Sequence, residues 1–264
     1  MLYIVIALSA EARPIVQMFK LKRVYTLPYT LFENDDVTLI ISGMGIENAM
    51  MAASALLGYK PPTENDLLIN IGICAAPQSF EIGEALLVHK ITHQNHAYFP
   101  DILFEHPLKE CDLTSVDAPV EGGVQTAVDM ESYGVYKASS RFFKTHQMLF
   151  FKVVSDHFEP QNVTKESASE LIAHNLPQLK YILRSAKFVA KKEELFNDDE
   201  KKLIEEISQY LTKSQSDAFY DACCYYRLHH KQPLYASGIK LPDEKLLKQQ
   251  RSEYLERLIK TLTL

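Results

Sequence analysis

The sequence has no apolar run approaching the roughly 20 residues that a membrane-spanning helix needs, so no span is expected. It has no excess of positive charge either. With 28 Lys and Arg against 34 Asp and Glu, the formal charge is -6, and no general attraction to nucleic acid or to an anionic membrane follows. The four cysteines, Cys74, Cys111, Cys223 and Cys224, lack metal-ligand spacing, and the vicinal pair is poorly placed to bridge to itself. The apolar N-terminus lacks a basic n-region and reaches Glu11 and Arg13 too early for a secretory signal. A reduced, cytoplasmic protein is the expectation. Gly43-Met44-Gly45 lacks the third glycine and the downstream acid of a dinucleotide fingerprint, leaving either a plain turn or a phosphate cradle at a helix start. His89, His93 and His96 have no second cluster to complete a metal site, and Thr92 to His96 reads as a polar loop.

What is present is enough apolar sequence, 47% of 264 residues, for one substantial core and a small appendage. Leu2 to Leu8 reads as a buried strand, with Pro14 suited to the first turn of the helix that follows. Leu27 to Glu33 and Val37 to Ser42 flank Asn34-Asp35-Asp36 as a hairpin. A helix runs from the Gly43 turn to about Leu57. Asp66 to Cys74, Glu84 to Ile91 and Leu149 to Ser155 have strand patterns, Val128 to Phe143 a helical one, and helical periodicity continues from Thr164 to about Val189. Strands alternating with helices argue for a mixed or parallel α/β sheet. The composition then shifts at Lys191-Lys192-Glu193-Glu194. Asn197 is a candidate N-cap before Asp198, Asp199 and Glu200, and Leu203, Ile204, Ile207 and Leu211 make an apolar helix face, as do Leu255, Leu258, Ile259 and Leu262. The reading is a core over 1–190 and a small helical domain over 195–264. Cys223 to Tyr226 reads as an aromatic helix face for packing.

Three carboxylates stand where an α/β sheet would gather them at the carboxyl ends of its strands. Glu11 follows the first strand, Glu131 lies in Val128-Asp129-Met130-Glu131-Ser132, and Asp156 closes Phe150 to Asp156. Each has an ordinary alternative: a first-turn helix acid for Glu11, a helix cap for Asp156, a solvated helix residue for Glu131. Gathered in one crevice, they suit acid/base chemistry on a glycosidic bond, where a leaving group takes a proton while a nucleophile approaches the other face.

The segments Ala7 to Glu11, Ser42 to Ala49, Ile69 to Ala75, Ile82 to Val88, Val128 to Glu131 and Val154 to Asp156 resemble, in order, the motifs of the nucleoside phosphorylase/nucleosidase family. Within it the chain is most similar to the methylthioadenosine/S-adenosylhomocysteine nucleosidases, and the likeness runs from about Met1 to Arg184. The resemblance implies a three-layer α/β core with a mixed central sheet, to which the C-terminal all-helical domain is added. It implies hydrolysis of the N-glycosidic bond of an adenine nucleoside of the 5′-methylthioadenosine, S-adenosylhomocysteine or 5′-deoxyadenosine type. Glu11 would activate water, Asp156 protonate the purine at N7, and Glu131 hold ribose hydroxyls. Met130, Ser155, Gly72 and Val120 would line the site, with no metal or organic cofactor.

The segment that closes over the purine in the family matches Ser115 to Val120, but its stacking phenylalanine is Pro119 here, and Tyr98 or Phe99 is the candidate replacement. The stretches from Ile91 to Ser115 and from Glu121 to Ala127 are shorter than in the family. Arginines surround the phosphate in the family's phosphorylases, whereas Arg13 and Arg23, the only early ones here, match no motif, so hydrolysis ranks above phosphorolysis. A non-catalytic nucleoside-binding protein is the rival from another class. A homodimer and a protein partner for the C-terminal helices complete the expectations.

Overall fold

The structure is a computed structural model that describes residues 1–190, 195–242 and 246–263. The chain divides into two compact units, Met1–Lys191 and Lys192–Leu264.

The first unit is built on short apolar strands. β1 (Leu2–Ile6) leads into α1 (Ser9–Phe19), followed by β2 (Lys22–Val24), β3 (Thr30–Glu33), β4 (Val37–Ile41), α2 (Ile46–Tyr59), β5 (Leu67–Ala75), β6 (Ala85–His93), β7 (His96–Tyr98), β8 (Lys109–Ser115), β9 (Ala127–Asp129), α3 (Ser132–Ser139), β10 (Met148–Asp156), α4 (Lys165–His174) and α5 (Leu176–Ala190). The ten strands form one mixed sheet. β5 is its axis. β1 and β10 run parallel to it on either side, and where β1 ends, β9 takes over antiparallel through Ala75 and Val128. β10 continues to β6, β6 to β8 and β8 to β9, so these five strands close a ring at one end of the sheet.

Alternation along the strands divides the core into two layers. Leu2, Ile4 and Ile6 of β1 face α1, α4 and α5, whereas Tyr3 and Val5 face α2 and α3. The same parity in β10 sends Leu149, Phe151 and Val153 one way and Met148, Phe150 and Val154 the other. Helices on both faces make three layers.

Several elements differ from the sequence expectation for local reasons. Pro14 lies in the second turn of α1, where it is buried and its missing N–H leaves one helical hydrogen bond unmade. The stretch from Val128 is not helical until Ser132: Val128 and Asp129 are needed as the strand that closes the ring, which leaves Glu131 as the N-cap of α3. Thr92 to His96 is a tight hairpin, not an open loop, pairing His93 with His96 around Gln94, whose φ is 50°. One long helix after Thr164 is two, broken at Asn175, whose side chain donates to Gly83 O and Leu171 O. The strands β2 and β7, three residues each, are too short for alternation to read.

The second unit holds α6 (Asp198–Ser208), α7 (Lys213–His230) and α8 (Lys248–Thr263). Asn197 Oδ1 accepts from the Glu200 N–H at 2.9 Å while Glu200 returns to the Asn197 N–H at 2.9 Å, a reciprocal cap that fixes the start of α6. Ile204, Ile207, Phe219, Cys223, Tyr226, Leu258 and Leu262 form its core.

α2 and α3 approach so closely that a Cβ built on Gly134 would lie 2.1 Å from Ile46 O, a backbone atom that cannot swing aside. Gly134→Ala is expected to force the helices apart and cost about 1 to 3 kcal/mol, read as a lower urea midpoint at unchanged slope; an unchanged midpoint would show that the helices separate freely.

Candidate active site

Leu8 ends the first strand region and caps α1 but has no side-chain acceptor, so its N–H turns to the third helical residue. Glu11 Oε2 accepts from Leu8 N at 3.0 Å, and Oε1 accepts from Ile73 N in β5 at 3.0 Å. The carboxylate is thereby fixed across two adjacent strands. Burial raises its pKa above the usual glutamate range, against the pull of those two N–H groups and of Lys152.

Glu131 is held from another direction. Gly43 and Gly45 both have positive φ, 83° and 104°, and the tight turn they make aims the Gly45 N–H at Glu131 Oε1, 2.9 Å away. The glycine turn thus donates to a carboxylate of the protein itself. Burial pushes Glu131 up to about 7, the Asp129 charge adds to this, and Lys152 and the Gly45 N–H oppose it.

Asp156 ends β10 at a register shift against β5 between Val154 and Asp156, which turns the strand end toward the crevice. Its Oδ2 lies 2.7 Å from Ser155 Oγ, and Oδ1 accepts from Glu159 N at 2.8 Å.

Beneath these acids lies a polar cluster absent from the sequence reading. The parity of β5 and β10 places Asn70 and Lys152 on the α3 side of the sheet. Lys152 Nζ, 1% exposed, lies 2.8 Å from Asp129 Oδ2 and donates to Asn70 Oδ1 at 2.7 Å. Asp129 also accepts from Ser115 Oγ at 2.6 Å and from Ser132 N and Oγ at 3.0 and 2.5 Å. Burial works against the lysine charge, yet Asp129 and Glu131 hold it protonated, above the ordinary lysine range. Burial likewise disfavours the Asp129 charge, but Lys152 and the two serine hydroxyls outweigh it and lower its pKa. The signal available in the sequence was a lysine inside Phe150-Phe151-Lys152-Val153-Val154, since such a strand can bury a cation only beside a partner.

A cavity of about 350 Å³ opens over the cluster, within the range of small-molecule sites. Glu11, Met130, Glu131, Ser155, Asp156 and Val120 all line it. Gly72 does not. It lies between Glu11 and Lys152, where an added Cβ would be 3.3 Å from Glu11 Oε1 and 3.5 Å from Lys152 Nζ, so its contribution is room for those two side chains. Phe99 also lies outside, 55% exposed, just past the end of β7. Tyr98 stacks on Tyr136 and Tyr133, with centroids 4.4 and 5.6 Å apart, so neither replaces the missing ring. The described lining is aliphatic and polar, without an aromatic side chain.

The three histidines diverge. His89 sits between Glu110 and Asp112, His93 Nδ1 meets Ser115 O at 2.9 Å, and His96 lies against Tyr133. Among the described residues no group of His, Cys, Asp and Glu is placed to hold a metal, and no helix is long and apolar enough to cross a membrane. The second unit has a cavity of about 520 Å³, but its described lining includes no Asp, Glu, His or Cys.

No family model matches the sequence, and no curated protein does. Solved structures do. The 5′-methylthioadenosine/S-adenosylhomocysteine nucleosidase of S. pneumoniae superposes with a TM-score of 0.60 at 17% identity, covering 70% of this chain and 98% of that one. The 5′-methylthioadenosine nucleosidase of Arabidopsis thaliana gives 0.55 at 19%, covering 73% and 96%. Futalosine hydrolase of Helicobacter pylori gives 0.56 at 13%, covering 69% and 97%. The protein therefore has the nucleoside-phosphorylase-like α/β fold. More narrowly, it is the fold of the methylthioadenosine/S-adenosylhomocysteine nucleosidase structures, with additional chain beyond the part they match.

Two outcomes follow from the charge cluster. Lys152→Met is expected to destabilise the protein by about 3 to 5 kcal/mol, because it strands the buried Asp129 charge, and Lys152→Met with Asp129→Asn should cost less; equal midpoints for the single and double variants would exclude the pairing. Glu131 has a pKa raised from 4.5 to about 7 in the folded chain. The folded state then binds more protons than the unfolded state between those values, so its contribution to stability is full below about pH 4.5 and lost as the pH rises to about 7. Glu131→Gln should flatten that decline, measured as urea midpoints at pH 4.5 and 7.5. Parallel profiles for variant and wild type would show that Glu131 does not titrate there.

Proposed function

We propose that the protein hydrolyses the N-glycosidic bond of an adenine nucleoside. The observation that carries this reading is the convergence of Glu11, Glu131 and Asp156 on one cavity, each oriented by a backbone N–H from a different segment. Cleavage transfers the electron pair of the C1′–N9 bond to the purine, leaves oxocarbenium character on the sugar and requires water at the opposite face. Asp156, beside Ser155, delivers a proton to N7 of the leaving base. Glu131 accepts hydrogen bonds from the ribose hydroxyls, with Met130 packing against the ring and Val120 against the base. Glu11 orients the water and takes its proton as the new C–O bond forms, giving adenine and the free sugar. Its raised pKa suits a group that gains a proton during the reaction.

The charge balance favours water over phosphate as nucleophile. Lys165 is the one basic residue in the described lining, facing Glu11, Asp129, Glu131 and Asp156, and Lys152 beneath is already paired with Asp129. An inorganic phosphate at the sugar would meet four carboxylates against the single cation Lys165. Adenine is favoured over 6-oxopurines because a carboxylate at Asp156 accepts from a 6-amino group, whereas a 6-oxo group would leave it unpaired, at a cost of about 1 to 3 kcal/mol or more for a charge.

Adenine release from 5′-methylthioadenosine, S-adenosylhomocysteine, 5′-deoxyadenosine and adenosine, with and without phosphate, tests the proposal. Release independent of phosphate is expected, with inosine cleaved more slowly. Glu11→Gln and Asp156→Asn should each lower turnover on the order of 10² to 10⁴ fold while the circular dichroism spectrum is retained. Phosphate-dependent release would replace hydrolysis by phosphorolysis, and binding without release would make the protein a nucleoside-binding one.

A further inference from the structure

Phe158, two residues past Asp156, has a φ of 65°. Four non-glycine residues among those described share that left-handed region, and the other three have local reasons: Lys20 and Lys231 cap the ends of α1 and α7, and Gln94 turns a hairpin. Phe158 ends no helix and joins no hairpin. A residue with a Cβ is disfavoured there, and the conformation persists only where the surroundings over-determine it.

Two sets of contacts hold it. Asp156 O accepts from Ala76 N at 3.0 Å and His157 Nδ1 lies 2.8 Å from Ala76 O, so the chain leaving β10 stays tied to the end of β5. The left-handed step at Phe158 then turns it back, and the Glu159 N–H arrives 2.8 Å from Asp156 Oδ1. The side chain is 6% exposed, and its ring lies beside Gly123, where a built Cβ would be 3.5 Å from Phe158 Cδ2 and 3.8 Å from Cε2. Gly122 and Gly123, with φ of 84° and 85°, belong to the segment between β8 and β9 that also supplies Val116, Pro119 and Val120 to the cavity wall. Phe158 itself is not in the described lining.

We propose that Phe158 is a positioning residue for the proton transfer: its backbone aims the Glu159 N–H at Asp156 Oδ1, and its ring braces the Gly122-Gly123 segment behind Pro119 and Val120. This rests on the glycosidase reading. A backbone N–H can only donate, so Oδ1 accepts and the proton of the acid form is directed to Oδ2. Ser155 Oγ, 2.7 Å from Oδ2, can give its own proton to Cys74 O at 3.1 Å and so receive that of Oδ2 until the base arrives. The proton then passes from Oδ2 to N7 as the C1′–N9 electron pair goes to the purine, and Asp156 is left as the carboxylate that the Glu159 N–H stabilises. The ring acts on the other partner of the transfer. With no aromatic side chain in the described lining to stack on the base, the height of the Pro119 wall determines where N7 lies, and the contact of Phe158 with Gly123 supports that wall.

The test measures kcat and KM for adenine release from 5′-methylthioadenosine and adenosine. Phe158→Ala removes the ring while keeping a Cβ that disfavours the left-handed backbone, and is expected to lower kcat about tenfold, the scale of one hydrogen bond to a charged group. Phe158→Gly adopts that backbone freely, so it should lose less in kcat than Phe158→Ala while raising KM, because the wall is no longer braced. Combined with Asp156→Asn, Phe158→Ala should lower kcat no further, since the transfer it serves is already gone. Should Phe158→Ala fail to fold, Phe158→Leu, which keeps most of the apolar volume, carries the same comparison with and without Asp156→Asn. An unchanged kcat in Phe158→Ala would overturn the proposal, as would an equal fractional loss in the wild-type and Asp156→Asn backgrounds, which marks a structural role. Equal kcat for the alanine and glycine variants would overturn the backbone aim. Wild type that releases no adenine from either compound would overturn the glycosidase reading and the positioning role with it, a result distinct from release that is insensitive to Phe158.

Discussion

The buried pair of Lys152 and Asp129 is the constraint on which the site depends. Asp129 ends β9, Lys152 is in the middle of β10, Asn70 is on β5 between the two, and Ser132 starts α3. Their hydrogen bonds tie four elements at one point under the cavity floor. A lysine and an aspartate taken out of water are costly singly, and their attraction offsets that only when the remaining donors and acceptors are also met. Here the serine hydroxyls and the Asn70 amide meet them, so the cluster favours one arrangement of the strands over any shifted register. It also sets the charge of the surrounding acids, because one cation shared among Asp129, Glu131 and Glu11 cannot keep all three fully ionised.

Close packing carries that arrangement outward. Gly134 lets α2 descend onto α3, and the descent brings Gly45, at the end of the glycine turn, within reach of Glu131. Gly72 does the same in the sheet, leaving the space that the side chains of Glu11 and Lys152 occupy. The closed ring of β5, β9, β8, β6 and β10 gives the strand ends no freedom to fan apart, so the three acids face one volume.

That volume differs in character from one end to the other. The acids crowd the middle, aliphatic side chains and Pro119 cover one wall without an aromatic ring, and positive charge appears only where α1 and α4 begin. A small polar molecule with a neutral, proton-accepting leaving group fits the acid end. The core of the second unit, among its described residues, is a packed set of amphipathic helices, started by a reciprocal cap at Asn197 and Glu200.

Much of the framework was legible in the sequence because it depends on local rules. The apolar runs at Leu2, Leu67 and Leu149, the glycine turn before α2, the Asn197 cap and the placement of Glu11, Glu131 and Asp156 at strand ends and helix starts follow from periodicity and capping alone. The order of short motifs pointed to the fold that the solved structures share. Lys152 and Asp129 were not legible as a pair, since 23 positions separate them and only the ring of strands brings them together. Phe99 shows the opposite limit. Aromatic character at the right distance in the chain made it a candidate, but where a strand ends is set by pairing, and here β7 stops at Tyr98, which packs on the tyrosines, and leaves Phe99 beyond its end and exposed. Residue types and local order were fixed by the sequence itself. Which side chains share a buried volume, which charges pair and where a cavity opens were decided by strand register and helix approach, because those depend on contacts between segments that no local pattern encodes.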